Sequence, residues 1–581
     1  MSDLQRLSAM PPPAAELPLT VVSALVRMLS RLGVHEAFGV SGGAMAALWD
    51  ALSSSALDVY HFRHESGAAF AAIEAGFASR KPVVLFTTTG PGLTHALTGI
   101  LAAREEGAHL IVVSPYTSAS SRGRFAIQET SRDTLPPSFY TADGPFHWAS
   151  ILDDPAQLDA VERELIVGLE RIGGFVAHLA VDTAVQRAPI QRSQTRACRP
   201  RALASPLSEA QVDACVAALN EGPFAIWTGF GARDAAAEIA MLARRMRAPV
   251  MSTPRGKGIF PEDDPLFVGV TGLAGHDSVA RFFDAFRPQR LLVLGSRMGE
   301  GASFWDRRFI TPRGFVHVDV DSSVPGRAFP DAKTLVIVAD VGATLRAVLP
   351  RLVPPNGCVA RAMPHPQIDR ADRRGDGLVS PEALMDALQY WVVAGSDATV
   401  LAESGHSFLW TTNRLQFSQP HRYRVSTSFG SMGHMAAGVV GAALATRRKA
   451  VAVVGDGAML MTNEINTAVK FRAPAVWVVL NDGRYGMCAQ GMEALGLSAD
   501  AEFPQVDFAA FACSQGAGAT RVDHETQLDA ALAEAMAADG PFLVDVRIDP
   551  TCKAPASRRN AALANRSTAS PERTFPLREG E

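Results

Sequence analysis

Two short runs place carboxylates where a divalent cation and a phosphate could meet. Val451-Ala452-Val453-Val454 is an apolar strand that breaks into Gly455-Asp456-Gly457-Ala458. This sets Asp456 at the strand's carboxyl edge, with the next helix N-terminus free to face an anion. A second strand ends in Asn481-Asp482-Gly483-Arg484. Mg²⁺ takes near-octahedral oxygen ligands and is usually held by few carboxylates plus phosphate oxygens, a set that Asp456, Asp482 and a loop carbonyl could complete. An isolated Asp-Gly is more often a turn; the second strand end shifts the balance towards a metal.

A third carboxylate stands elsewhere. His61-Phe62-Arg63-His64-Glu65-Ser66-Gly67 joins a predicted strand to a helix of small residues and puts Glu65 in its first turn. Such a glutamate either answers the helix dipole or works as an acid. Three glycine-rich runs permit close backbone approach: Phe38-Gly39-Val40-Ser41-Gly42-Gly43, Thr87-Thr88-Thr89-Gly90-Pro91-Gly92 and Ser428-Phe429-Gly430-Ser431-Met432-Gly433. Met432 alone would be core filler, and Ser41 is either a turn residue or a hydroxyl facing substrate. His406 and His434 lie in predicted loops, as ordinary histidines or as a proton-handling pair.

The elements that must position these residues are parallel strands. Val83–Thr88, Leu110–Ser114, Leu291–Gly295, Phe315–Val320, Ala450–Val454 and Ala475–Leu480 are unbroken apolar runs bounded by Gly, Asp or Ser, the pattern of strands buried on both faces in an α/β protein. At 581 residues the chain exceeds one core. Arg-, Pro- and Ser-rich residues 186–206 and Pro-, Arg- and Asp-rich residues 353–377 read as linkers. They leave blocks at 14–186, 207–353 and 378–552, with a tail, 553–581, whose composition predicts poor order. A net charge of −4 gives no basic excess to attract nucleic acid. No run is apolar for the roughly 18 residues of a membrane span and the N-terminus is unlike a signal peptide, so a soluble cytoplasmic protein is expected. Six cysteines without CxxC spacing indicate neither disulfides nor zinc.

Together these motifs resemble the thiamine-diphosphate-dependent enzymes that include acetohydroxyacid synthase, pyruvate oxidase, pyruvate decarboxylase and benzoylformate decarboxylase, over about Leu19 to Asp549. The resemblance implies three doubly wound parallel-sheet domains: pyrimidine-binding, central and diphosphate-binding. It implies Mg²⁺ held by the side chains of Asp456 and Asp482 and the carbonyl of Arg484, with Gly455, Gly457 and Ala458 along the diphosphate. Glu65 would bond the cofactor's pyrimidine and promote the tautomer that forms the thiazolium ylide. Ser41, Gly42 and Gly90 would lie in loops near the pyrimidine, with Gly430, Ser431 and Met432 in the opposing loop. There the Gly430 carbonyl would accept from the exocyclic amine and Met432 would wedge the two rings into a V. In the family Glu65 and Asp456 serve one cofactor from different subunits, which implies a homodimer or homotetramer with the active site at the interface.

Substrate clues are sparser. Ile127-Gln128-Glu129 resembles the Phe-Gln-Glu of acetohydroxyacid synthases, making Gln128 a candidate orienting donor. Ser114-Pro115-Tyr116-Thr117 stands where pyruvate-decarboxylase-like enzymes carry paired histidines. Gly491 replaces the Trp that narrows the acceptor site in acetohydroxyacid synthases, which predicts open space there. The central block resembles a domain that holds FAD in some relatives, with Arg297 matching a flavin contact; others keep the fold without flavin, so FAD stays an open alternative. The resemblance implies an acetolactate-synthase-like carboligase that takes a 2-oxo acid, releases CO₂ and passes the acyl-anion equivalent to a second carbonyl compound. The alternatives are a non-oxidative 2-oxo acid decarboxylase, protonating through His406 or His434, and a catalytically silent binding homologue.

Overall fold

The computed structural model describes residues 19–142, 144–190, 207–355 and 362–568. Three six-stranded sheets follow one another along the chain, and every strand pair in them is parallel. The first contains β1 (Glu36–Gly39), β2 (Asp58–His61), β3 (Val83–Phe86), β4 (His109–Tyr116), β5 (Trp148–Leu152) and β6 (Phe175–Asp182), in the order β2-β1-β3-β4-β6-β5. The central sheet contains β7 (Phe224–Thr228), β8 (Val250–Ser252), β9 (Phe267–Val270), β10 (Arg290–Leu294), β11 (Phe315–Asp319) and β12 (Thr334–Val338), ordered β12-β11-β10-β7-β8-β9. The third contains β13 (Thr399–Ala402), β14 (Tyr423–Val425), β15 (Ala450–Gly455), β16 (Ala475–Asn481), β17 (Gly518–Val522) and β18 (Phe542–Arg547), ordered β14-β13-β15-β16-β18-β17. The first and third sheets thus share one topology.

The apolar runs become interior strands because helices cover both faces and leave no polar side to alternate. β3 and β16 are buried along their whole length. The two equivalent domains join through two long helices, Glu65–Ser79 and His434–Thr446, each mostly alanine, glycine and aliphatic and each buried along most of its length. Small residues set their separation. A methyl group added to Gly441 would run into the backbone of Ala71, and one on Gly438 would stand 2.8 Å from Glu74 Cγ.

Buried charge locks the joint. Arg424 donates to both Glu74 oxygens (2.8 and 2.7 Å), and His434 Nε2 lies 3.1 Å from the same carboxylate. Glu106 takes Arg255 of the central domain at 2.6 Å and Ser426 Oγ of the third at 2.9 Å, so the three domains meet around one cluster. Burial alone would raise the Glu74 pKa, but the charge and hydrogen bonds of Arg424, with His434, outweigh it and hold the group at about 2.

Of the two linkers, 191–206 and 356–361 lie outside the described residues. The rest of the second passes from the central domain, where His365 Nε2 meets the Asp264 carbonyl at 3.0 Å, to the third, where Arg373 meets Asp529 and Arg374 meets Asp549. The tail departs from its composition. Ala554 and Ala556 are buried in the third domain's core and Ser557–Thr568 is helical; residues 569–581 lie outside the described residues. Among the described residues no helix is long and apolar enough to cross a membrane.

Candidate functional site

The chemistry-bearing residues gather at the carboxyl edges of the first and third sheets, where open α/β sheets bind ligands. In the first, the loops after β1, β2, β3 and β4 converge. Ser41 Oγ bonds His61 Nε2 (2.9 Å), and Gly42 packs on Thr88 so closely that a methyl group there would strike its side chain. Glu65 opens its helix and is buried at 8% exposure. Its Oε2 lies 3.2 Å from His95 Nδ1, while Oε1 faces Gly92, 3.4 Å from where a methyl group on that glycine would stand. Gly90 has φ +59° and donates to Thr130 Oγ1 at 2.6 Å. Gln128, also left-handed at φ +53°, accepts from Thr89 Oγ1 at 3.3 Å. The structure therefore brings Ser41, Gly42, Glu65, Gly90 and Gln128 into one half-site.

The third sheet builds the other half. Asp456 is 2% exposed; its Oδ1 accepts from Gly457 N (2.7 Å) and its Oδ2 from Gly483 N (2.6 Å) and Asp482 N (3.1 Å). Burial, then the neighbouring charge of Asp482, pushes Asp456 up to about 7. Burial likewise raises Asp482, opposed by Arg484 Nε at 3.0 Å. Two buried carboxylates, both raised by burial and Asp456 also by the charge of Asp482, form a donor set suited to a divalent cation, whose charge would relieve both. Gly455 and Ala458 flank Asp456. A methyl group on Gly457 would stand 2.7 Å from the Tyr485 ring and 3.5 Å from Met432 Cε, so Met432 reaches the metal loop. Gly430, at φ +69°, accepts from Ser404 Oγ at 3.1 Å, and Ser431 Oγ bonds Met432 O at 3.2 Å.

The two histidines part company. His406 starts a helix (His406–Arg414), with its Nδ1 against Gly486, where a methyl group would stand 2.7 Å away. Its Nε2 is buried without a hydrogen-bond partner. Burial, with the charge of Arg484 and then of Arg559, depresses this ring to about 4. His434 is not in a loop at the cofactor mouth; it is fully buried at the start of its own helix, stacked on Phe70 at 4.8 Å and bound to Glu74. Left-handed Gly433 turns the chain into that helix and points the imidazole into the domain joint, so the expected pairing with His406 does not form.

Two further expectations change. Gly491 faces no open volume, since Arg559 Nη1 from the tail helix lies 2.9 Å from where its methyl group would be. Arg297 lies half exposed against Glu105 at 3.3 Å. Beside it, Gly231 N donates to Gly295 O at 2.9 Å, closing the loops at the central sheet's switch point on one another.

Comparison with known proteins fits this layout. Residues 19–135 match the N-terminal TPP binding domain of thiamine pyrophosphate enzymes, residues 215–348 their central domain and residues 403–546 their C-terminal TPP binding domain. The chain belongs to the thiamine pyrophosphate enzyme family. The "Acetolactate synthase isozyme 1 large subunit" of Escherichia coli is 26% identical over 539 residues, 90% of this chain and 93% of the relative. The "Acetolactate synthase large subunit" of Parasynechococcus marenigrum is 27% identical, covering 92% and 88%. The "Probable 2-ketoarginine decarboxylase AruI" of Pseudomonas aeruginosa is also 27% identical, covering 91% and 94%.

In this thiamine pyrophosphate enzyme three residues beside the half-sites escaped the sequence reading. His95, which holds Glu65, lies one turn beyond Gly92 in the same glycine-rich run, and that spacing was its signal. Glu464 ends the run that follows Asp456 and accepts from the backbone N–H groups of Arg63 and His64, both at 3.2 Å, fixing the approach to Glu65. Burial, against those donors and Thr467, pushes Glu464 up to about 7. Arg559 had no signal, because only the fold brings it to Gly491.

Proposed function

We propose that the chain is an acetolactate-synthase-like carboligase that takes a 2-oxo acid, releases CO₂ and joins the remaining acyl unit to a second carbonyl compound. When bound, thiamine diphosphate supplies the carbanion chemistry beside the 2-oxo acid's carbonyl. The residues do the rest. Asp456 and Asp482, with the Arg484 carbonyl, would hold Mg²⁺, and Gly455, Gly457 and Ala458 would border the diphosphate. Met432 would pack against the cofactor rings, and the Gly430 carbonyl, which also accepts from Ser404 Oγ, would accept from the pyrimidine's amine. Glu65 would present Oε1 to the pyrimidine, its Oε2 being occupied by His95. His406, neutral near pH 7, stands against Gly486 at the Asp482 loop, where it would position the substrate side of the site.

The observation that carries the carboligase reading is Gln128, a neutral donor brought across sequence to the Glu65 half-site. Where pyruvate-decarboxylase-like enzymes carry paired histidines, β4 continues through Ser114, bonded inward to His178 at 2.8 Å, to Tyr116. The flavin of some relatives is left out of the cofactor set, because Arg297 and the switch-point loops are engaged elsewhere. Beside Gln128, Phe125 is 100% and Ile127 95% exposed. An apolar tip of this kind supports cover by a second copy, and so a homodimer or dimer of dimers with the cofactor between subunits.

The test is product analysis of the purified protein with thiamine diphosphate, Mg²⁺ and a panel of 2-oxo acids, with and without aldehyde or ketone acceptors. Ligated product in proportion to CO₂ supports the reading. Free aldehyde alone, whatever the acceptor, replaces it with decarboxylation, the activity in the Pseudomonas aeruginosa relative's name.

A further inference from the structure

The tail does more than end the chain. Gln490 holds Ala554 through two bonds, its Nε2 to the carbonyl (2.9 Å) and its Oε1 from the N–H (3.1 Å), and Lys553 Nζ meets Glu493 at 2.6 Å. These anchors lie on the Gly486–Ala494 helix, which follows directly from the Asp482 loop. Gly491 is the one buried residue of that helix, and what buries it is the guanidinium of Arg559, with Nη1 at 2.9 Å, Nη2 at 3.6 Å and Cζ at 3.7 Å from a methyl group built on the glycine. Any side chain at 491 would displace it.

Arg559 has a single hydrogen bond among the described residues, from Nη1 to Met487 O at 3.4 Å, and no carboxylate partner. A guanidinium carries five N–H donors in a planar fork that matches a carboxylate in a bidentate pair. This one packs at Gly491 on the helix that His406 meets at Gly486, and its charge, like that of Arg484, acts on the His406 ring. Arg484 precedes this helix and Arg559 packs on it, and the carboxylate just ahead of it, Asp482, is already engaged by Arg484 at 3.0 Å.

We propose that Arg559 is a specificity-determining residue that reads a carboxylate remote from the reacting carbonyl, so that the substrate class is a 2-oxo acid with a second acid group. The inference rests on the proposed 2-oxo acid chemistry, which supplies the first acid group as CO₂ and leaves the second for Arg559 to hold.

Two measurements on the full-length holoenzyme separate the two readings. The first is calorimetric binding of glutarate and butyrate, which are not turned over. Wild type is expected to bind glutarate more tightly, and Arg559→Gln to lose roughly 10- to 100-fold of that affinity, the worth of a charge-assisted pair. Arg559→Lys should recover part of it, which a merely structural arginine would not allow. The second is the ratio of kcat/KM for 2-oxoglutarate to that for 2-oxobutyrate, read as CO₂ release; Arg559→Gln should lower it by a similar factor, chiefly through KM. Gly491→Ala, which pushes on the guanidinium, should lower the ratio in the same direction. Equal glutarate affinity in wild type and Arg559→Gln, or an unchanged ratio, overturns the proposal. Glutarate selectivity lost in the variant, with no CO₂ from any 2-oxo acid in either protein, supports the acid-binding role and removes the function reading instead.

Discussion

Replacing Glu74 by glutamine keeps the shape of the domain joint and removes its charge. Arg424 would then be a guanidinium at 7% exposure, sandwiched over the rings of Phe77 (4.1 Å) and Phe230 (4.9 Å), without its bidentate partner. Stranding one member of a buried pair typically costs about 3–5 kcal/mol. The displacement of Glu74 from 4.5 to about 2 gives a similar figure, since 2.5 pH units at about 1.4 kcal/mol each is about 3–4 kcal/mol. Because the folded value lies below the ordinary one, this contribution is complete above pH 4.5 and is lost as the pH falls towards 2. The gap between wild type and Glu74→Gln should therefore be about 1 kcal/mol smaller at pH 4 than at pH 7. The assay is urea unfolding of both proteins at the two pH values, with Glu74→Gln/Arg424→Met as a third protein. An apolar pair of similar volume should restore much of the loss, as buried ion pairs are often matched by well-packed hydrophobic residues. A single-variant loss under about 1 kcal/mol, or a gap independent of pH, would refute the account of the joint.

Three further outcomes are expected. Asp456→Ala should abolish Mg²⁺-dependent thiamine diphosphate binding in calorimetry; wild-type affinity would remove the assignment of the metal site. Glu65→Gln should bind the cofactor yet slow exchange of its C2 proton into heavy water by about 100-fold or more, as for loss of a positioned acid, and an unchanged exchange rate contradicts the role given to Oε1. Gly491→Trp should no longer widen or narrow an acceptor pocket as such; it should overpack against Arg559, undock the tail helix and expose residues beyond Lys553 to limited proteolysis, whereas a tail cut no faster than in wild type would show that the indole fits elsewhere.

The strands were legible because burial on both faces makes a run apolar, and the glycine loops because each sits at a strand end. The placement of Asp456 beside Asp482 was legible for the same reason: strand β15 must stop before Asp456 can leave it. The shared topology of the first and third sheets was hidden, since strand order is a property of crossover connections and leaves no trace in residue identity. His434 was misplaced because a histidine after glycines reads as a loop residue, while the turn at Gly433 buries it. The tail was misread because its alanines and arginines have no core of their own; its order comes from Gln490 and from the third domain's core.

The seam between the Glu65–Ser79 and His434–Thr446 helices acts as a fixed gauge. With Gly441 set on the Ala71 backbone and Gly438 on Glu74, one added methyl group separates the element that starts at Glu65 from the domain that carries Asp456. Substitutions there are tolerated only as matched pairs across the seam, which mutation rarely supplies together. Positions 487–491 and 553–564, where the proposed acid-reading site lies, vary without touching that spacing. A library meant to redirect this chain towards new acids belongs in those two segments, with the seam held constant.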